Sequence, residues 1–136
     1  MPEAVLGLAT PPRLSPERCR SLLAEATDGY LALSRGALPV VLPVTCALDG
    51  ESLLVRAGPG SLDRITPHPG VVAFGTTIPS PDGARRWEVL VQGTAEAVRH
   101  PTRDVPPRFP IISSSLTTVF RVTLDLLTGW EYAPGF

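Results

Sequence analysis

Residues Tyr30 to Ala57, YLALSRGALPVVLPVTCALDGESLLVRA, carry the reading that decides the fold. Their hydrophobic period is two. Tyr30 to Ser34 and Val40 to Leu48 read as strands separated by Arg35, Gly36, Ala37, Leu38 and Pro39, which makes a hairpin. Asp49 and Gly50 then supply a tight-turn pair ahead of Ser52 to Ala57, so three antiparallel strands follow one another as a meander. Pro43 lies inside the second strand and needs a bulge or an edge position, where no ladder donor is missed.

The third strand leads into the stretch Leu53 to Asp63. Arg56 stands at the strand end, Gly58, Pro59 and Gly60 form a loop whose backbone can approach a ligand, and Ser61 starts a short helical run. An arginine, bare backbone donors and a hydroxyl at a helix start are the parts of an anion site, with phosphate the commonest tenant. A plain turn with a solvent-facing arginine fits the same local pattern. Beyond it, Ser61 to Thr66 reads as a helical turn closed by Pro67, His68 and Pro69, and Gly70 to Thr76 as a strand. Arg86 to Val98 is the longest strand, with Trp87, Val89, Val91, Gly93, Ala95 and Ala97 on its core face. Its other face is mostly polar. A proline-rich connection, His100 to Pro110, precedes a last strand from Thr118 to Leu124, and the chain closes through Gly129, Trp130, Glu131 and Tyr132. His68 and His100 are read as surface loop residues.

Working back toward the start, residues 1–13 form a lead-in and residues 14–136 a single domain. Ser15 is a good helix N-cap and Pro16 fits the first helical position. Cys19, Leu22, Leu23 and Ala26 follow the spacing of an amphipathic helix, and Asp28 with Gly29 is expected to stop it. One helix followed by six short strands linked mostly by hairpins predicts a mainly β chain, an antiparallel barrel with short helices. A sandwich satisfies the same pattern.

The composition narrows the partners. A net charge of −1 and no basic run argue against a nucleic-acid partner. Met1 to Arg13 lacks the features of a signal peptide, and no run approaches the ~20 apolar residues of a membrane span, so a cytoplasmic protein with no membrane partner is expected. Cys19 and Cys46 sit in apolar contexts without metal-ligand spacing and are read as buried thiols. No catalytic residue and no metal site is assigned.

Several phrases, in order, resemble the FMN-binding split-barrel proteins related to pyridoxamine 5′-phosphate oxidase, in their short bacterial form. They are Leu14-Ser15-Pro16-Glu17 with Leu22-Leu23, Asp28 to Ala32, Pro39 to Val44 leading to Asp49-Gly50, Val55 to Ser61, Trp87 to Ala95, and Thr128-Gly129-Trp130. The likeness runs from Leu14 to Tyr132. It implies a six-stranded split β-barrel, a homodimer, and FMN held in a groove between two barrels, where a small-molecule substrate also binds. By this resemblance the cofactor-binding set is Arg56, Ala57, Gly60, Ser61, Thr45, Trp87 and Gln92. Arg56 and Ser61 would contact the phosphate, Gly60 would let the backbone approach, Thr45 would lie near the flavin ring, and Trp87 and Gln92 would belong to a strand that contributes to the groove. Arginine suits a phosphate because its planar fork gives two parallel charge-assisted bonds.

The chain departs from that family at two places. Leu62 stands where a lysine is usual, and Ala57 where a hydroxyl is common; Arg64 is the residue that would have to replace the lysine. An FMN-dependent oxidoreductase, in which the flavin performs the hydride chemistry, is the first functional expectation. A flavin-free barrel is the second, acting as a binding module or a cofactor-independent catalyst such as a cyclase. Trp87, Trp130 and Tyr132 would then line its pocket, with Glu88 or Asp63 as the acid. A deazaflavin, F420, is a third variant.

Overall fold

The computed structural model describes residues 12–57, 69–99 and 118–133. The first element is helix α1, Pro16–Glu25. Ser15 caps it as expected, its Oγ accepting from the Arg18 N–H at 3.1 Å. Cys19, Leu22 and Leu23 are wholly buried. The helix ends earlier than the sequence suggested, with Ala26 as its C-cap. Asp28 and Gly29 already belong to the first strand, and Gly29 serves a different purpose from a helix stop. A Cβ there would come within 2.5 Å of the Gly75 carbonyl oxygen and the Phe74 ring, so glycine is what lets the next strand approach.

Seven strands follow: β1 Asp28–Arg35, β2 Leu38–Asp49, β3 Ser52–Ala57, β4 Gly70–Pro79, β5 Arg86–Ala97, β6 Thr118–Thr123 and β7 Leu126–Tyr132. The pairing order is β4-β1-β2-β3-β6-β5, and β5 pairs back to β4, which closes a six-stranded antiparallel barrel. The meander is as read. Arg35 pairs with Leu38 across Gly36 and Ala37, and Asp49 pairs with Ser52 across Gly50 and Glu51. Both turn glycines have positive φ, 63° and 60°. Pro43 takes an edge position: residues 38–43 of β2 pair only with β1, and β3 joins from Val44 onward.

Side chains alternate across the barrel wall. Leu31, Leu42, Val55, Phe74, Val91 and Phe120 point inward and are almost completely buried, and α1 plugs one end with Cys19, Leu22 and Leu23. The core face of β5 is as predicted, with Val89, Val91 and Ala95 buried. On the outer side of β3, Leu54 and Val119 form a small second cluster with Ala47 and Val98.

Strand β7 was not foreseen. It lies outside the barrel circuit and pairs with the first half of β5, Arg86 to Gln92, while β6 pairs with Ala95 to Ala97. The handover falls at Gly93 and Thr94. The Thr94 N–H donates to Thr123 Oγ1 at 2.8 Å, and a Cβ on Gly93 would run into the Thr123 carbonyl oxygen. Residues of the lead-in continue the sheet: Arg13 bridges to Trp130, and the Leu14 N–H donates to the Gly129 carbonyl at 2.9 Å.

Two glycines of this sheet should behave oppositely. Gly93→Ala is expected to cost about 1–3 kcal/mol or more in urea unfolding, because backbone must move. Gly75→Ala, whose Cβ would meet only Leu90 Cδ1 at 3.9 Å, should cost little.

Candidate functional site

The outer wall of the barrel carries the residues that chemistry can use. Arg56 and Thr45 are direct cross-strand partners on β3 and β2, facing outward beside the Leu54 cluster. The Arg56 Nη2 donates to Thr45 Oγ1 at 3.2 Å, while its Nε is buried with no hydrogen-bond partner among the described residues. A buried guanidinium donor left unmade costs about 1–3 kcal/mol or more, so this arginine is set to gain from an added acceptor. Arg121 on the same wall differs: it donates to Asp49 Oδ2 at 2.9 Å and Ser52 Oγ at 2.7 Å, a pairing that joins the barrel to the β2–β3 turn. An anion bringing several oxygens fits the position of Arg56.

The other expected residues are distributed differently. Ala57 turns its methyl group into the core, where it is buried, so any contact it makes with a ligand would come from its backbone. Gly60, Ser61, Leu62, Asp63 and Arg64 lie outside the described residues, as do His68 and His100. Trp87 is on the inner side of β5 at the barrel end. Its Nε1 donates to Glu131 Oε1 at 2.7 Å and the Arg18 guanidinium sits 4.8 Å from its ring centroid, which gives it a closing role at the end of the core. Gln92 is exposed on the outer face of β5, opposite Ala73 and Leu126. The structure therefore joins Arg56 to Thr45, keeps Gln92 on the same outer surface farther round, and sends Trp87 inside.

Following the register outward from Thr45 leads to Asp28, its partner on β1. Thr76 ties β4 to this point, its hydroxyl donating to the Asp28 carbonyl at 2.8 Å. Beyond Asp28 the wall holds a cavity of about 460 Å³ lined by Asp28, Tyr30, Gly75, Glu88, Leu90 and Trp130, among others. Tyr30 faces Gly75, Gly75 faces Leu90, and Glu88 faces Trp130 across successive strands. Glu88 also acts on Tyr132, whose phenol is pushed up by burial and then by this carboxylate. The sequence had grouped Trp87, Trp130 and Tyr132 around one pocket with Glu88 or Asp63 as its acid; of these, Glu88 and Trp130 line the cavity, Trp87 and Tyr132 are not among its lining residues, Asp63 lies outside the described residues, and Asp28, Tyr30 and Gly75 were missed. Tyr30 on the outward side of a strand and a glycine within β4 were the available signals.

The same wall is unusually apolar. Tyr30 on β1 is 62% exposed, Val71 on β4 76% and Leu126 on β7 59%. Among the described residues no three His, Cys, Asp or Glu side chains are grouped to hold a metal, and no helix is long and apolar enough to cross a membrane. Cys46 is buried, and its thiol is pushed up to about 12 by desolvation and by the charge of Asp28.

Comparison with known proteins places this geometry. The family described as pyridoxamine 5′-phosphate oxidase matches residues 15–106. Among solved structures, an FAD-binding protein from Mesorhizobium loti superposes with a TM-score of 0.67 at 20% identity, covering 92% of this chain and 100% of that one. An FAD-binding protein from Mycobacterium smegmatis gives a TM-score of 0.65 at 19% identity, covering 92% and 99%. A protein from Corynebacterium glutamicum with a provisional pyridoxamine 5′-phosphate oxidase description gives 0.67 at 21%, covering 96% and 99%. No curated protein sequence matches. At these identities the structures establish the fold.

Two outcomes are expected of the residues placed in the interior. Cys46 should resist thiol reagents at neutral pH until the protein unfolds. Its folded pKa lies above its ordinary value of 9.0, so its contribution to stability is complete below pH 9 and is lost as pH rises toward about 12. The wild type should lose stability over that window more steeply than Cys46→Ala. Trp87→Phe, which removes the bond to Glu131, should lower stability by about 1.5 kcal/mol in denaturant titration.

Proposed function

We infer a flavin-binding function for this chain, which belongs to the pyridoxamine 5′-phosphate oxidase family. The proposed cofactor is FMN, its phosphate received at Arg56, and the proposed activity is an oxidoreductase acting on a small organic substrate between two copies of the chain. The observation that carries the reading is the Arg56 guanidinium, half-buried, with one nitrogen on a neutral hydroxyl and Nε without a hydrogen-bond partner among the described residues. FAD-binding proteins of the same fold are consistent with it. A bound flavin would supply the electron or hydride transfer, for which side chains alone have no equivalent.

The chain's own residues then have limited tasks. Arg56 offers its fork to the phosphate, with Thr45 fixing the guanidinium plane by accepting from Nη2. Because the Ala57 methyl is in the core, the small residue there takes nothing from the outer wall. Leu62 is the more serious departure. All twelve basic residues of the chain are arginines, so a second cation at the phosphate has to be an arginine, and Arg64 is the one nearest in sequence to the missing lysine. Covering Tyr30, Val41, Val71 and Leu126 with a second copy would bury the apolar wall and exclude water from the groove.

Leu62 also supports the second reading, a barrel that works without flavin. The two part on a simple measurement. The purified protein should be yellow and release FMN on denaturation, identified by mass, or else take up added FMN with a rise in Tm; at a hundredfold excess over Kd the stabilisation is about 2.7 kcal/mol. Arg56→Ala should remove that response. A colourless protein with no shift on adding FMN, FAD or F420 would leave the flavin-free reading standing.

A further inference from the structure

The cavity between β1, β4, β5 and β7 has a chemistry of its own. Among the described residues its charged lining consists of Asp28 and Glu88, with no arginine. Two arginines sit on aromatic rings nearby, Arg13 5.7 Å from the ring centroid of Trp130, itself a lining residue, and Arg86 6.0 Å from that of Tyr132. Tyr132 lies close enough to Glu88 for the carboxylate to push the phenol pKa up, after the larger effect of burial. Tyr30 and Trp130 add aromatic surface, which attracts cations through the ring quadrupole.

A second observation concerns the floor. Gly75 lies between Tyr30 and Leu90, and a side chain at this position would meet nothing closer than Leu90 Cδ1 at 3.9 Å. Its φ is not positive, so the backbone does not require glycine. Gly70, the first residue of β4, has a positive φ of 74° that itself favours glycine, and the remaining strand glycines differ from Gly75. At Gly29, Gly93 and Gly129 a Cβ would collide with neighbouring atoms of the barrel. Gly75 therefore leaves a bare strip of backbone in the cavity, open to a flat group that a Cβ would lift off.

We propose that this cavity is the substrate subsite, that it takes a flat organic cation, an aryl or heteroaryl ring carrying an alkylammonium group, and that it excludes anionic substrates, phosphorylated ones included. The ring lies on the Gly75 backbone between Tyr30 and Leu90, with its cationic group toward Asp28 and Glu88. This names a substrate class for the oxidoreductase reading above and rests on it for the reaction, but binding at the cavity requires no flavin. The separation of charge along the wall is the point: the cationic Arg56 receives the cofactor's phosphate, and two strands away the acidic cavity receives a substrate of opposite sign.

The test uses three probes of one shape, naphthylmethylamine, naphthylmethanol and naphthoate, titrated calorimetrically into the full chain with and without saturating FMN. The amine should bind about tenfold or more tighter than the alcohol, and naphthoate should not saturate. Asp28→Asn and Glu88→Gln should each reduce the amine's advantage about threefold or more, and Gly75→Val should weaken amine and alcohol alike while Tm stays within a few degrees. Equal binding of amine and alcohol, binding of naphthoate, no binding of any probe, or a Gly75→Val variant that binds as the wild type does would each overturn the proposal. If the amine binds as expected and FMN neither binds nor changes the isotherm, the cavity stands and the flavin reading fails; the converse result rejects the cavity alone.

Discussion

Everything on the outer wall depends on how β5 satisfies its backbone. One edge of this twelve-residue strand pairs along ten residues with β4, closing the barrel, while the other edge is shared between β7 and β6. Two partners on one edge cannot both continue through the same residues, and the change happens at Gly93 and Thr94. The absence of a side chain at Gly93 admits the Thr123 carbonyl, and the Thr123 hydroxyl takes the Thr94 N–H that the ladder leaves over. This handover frees β7 to run along the first half of β5 and bring Trp130 opposite Glu88. Without it the barrel wall would have no far side to the cavity.

The candidate site's wall is built from cross-strand pairing rather than from any one motif. Cross-strand register alone sets Arg56 beside Thr45 and Thr45 beside Asp28. The cavity beyond begins at Asp28 and reaches Trp130. Since side chains of a strand alternate faces, every residue in this series owes its outward direction to the packing of its neighbours inside. Val44, Cys46 and Val55 hold Thr45 and Arg56 out; Leu31 and Phe74 do the same for Tyr30 and Gly75. The wall also carries the half-buried Arg56 guanidinium at one place and the Asp28 and Glu88 carboxylates at another. Such an arrangement suits two ligands of opposite sign better than one.

Much of the fold could be read in the chain because its local signals agreed with one another. The Ser15 cap, the Gly36 and Gly50 turns and the alternation along β5 each arise from a few adjacent residues, and each appears where expected. Strand β7 could not be read that way. Leu126 and Leu127 are adjacent apolar residues, and Gly129 interrupts the run for a tertiary reason, the approach of Cys19 Sγ and the Glu88 carbonyl. Gly29 was misread for the same cause, since what it accommodates is a strand forty-six positions later. Within the candidate site, Arg56 and Thr45 were legible individually, their contact being set by the β2–β3 turn between them. The cavity was not, because Asp28, Tyr30, Gly75 and Glu88 meet only once the barrel has closed.

The central claim is that Arg56 holds its open guanidinium for a phosphate, and a ligand pair differing in that group alone tests it most directly. Calorimetric titration of the wild-type protein with FMN and with riboflavin compares the same ring with and without the phosphate. One or two charge-assisted bonds of about 1.5–3 kcal/mol each predict that FMN binds at least about tenfold, and up to several hundredfold or more, tighter than riboflavin. Equal affinity for the two would contradict the account.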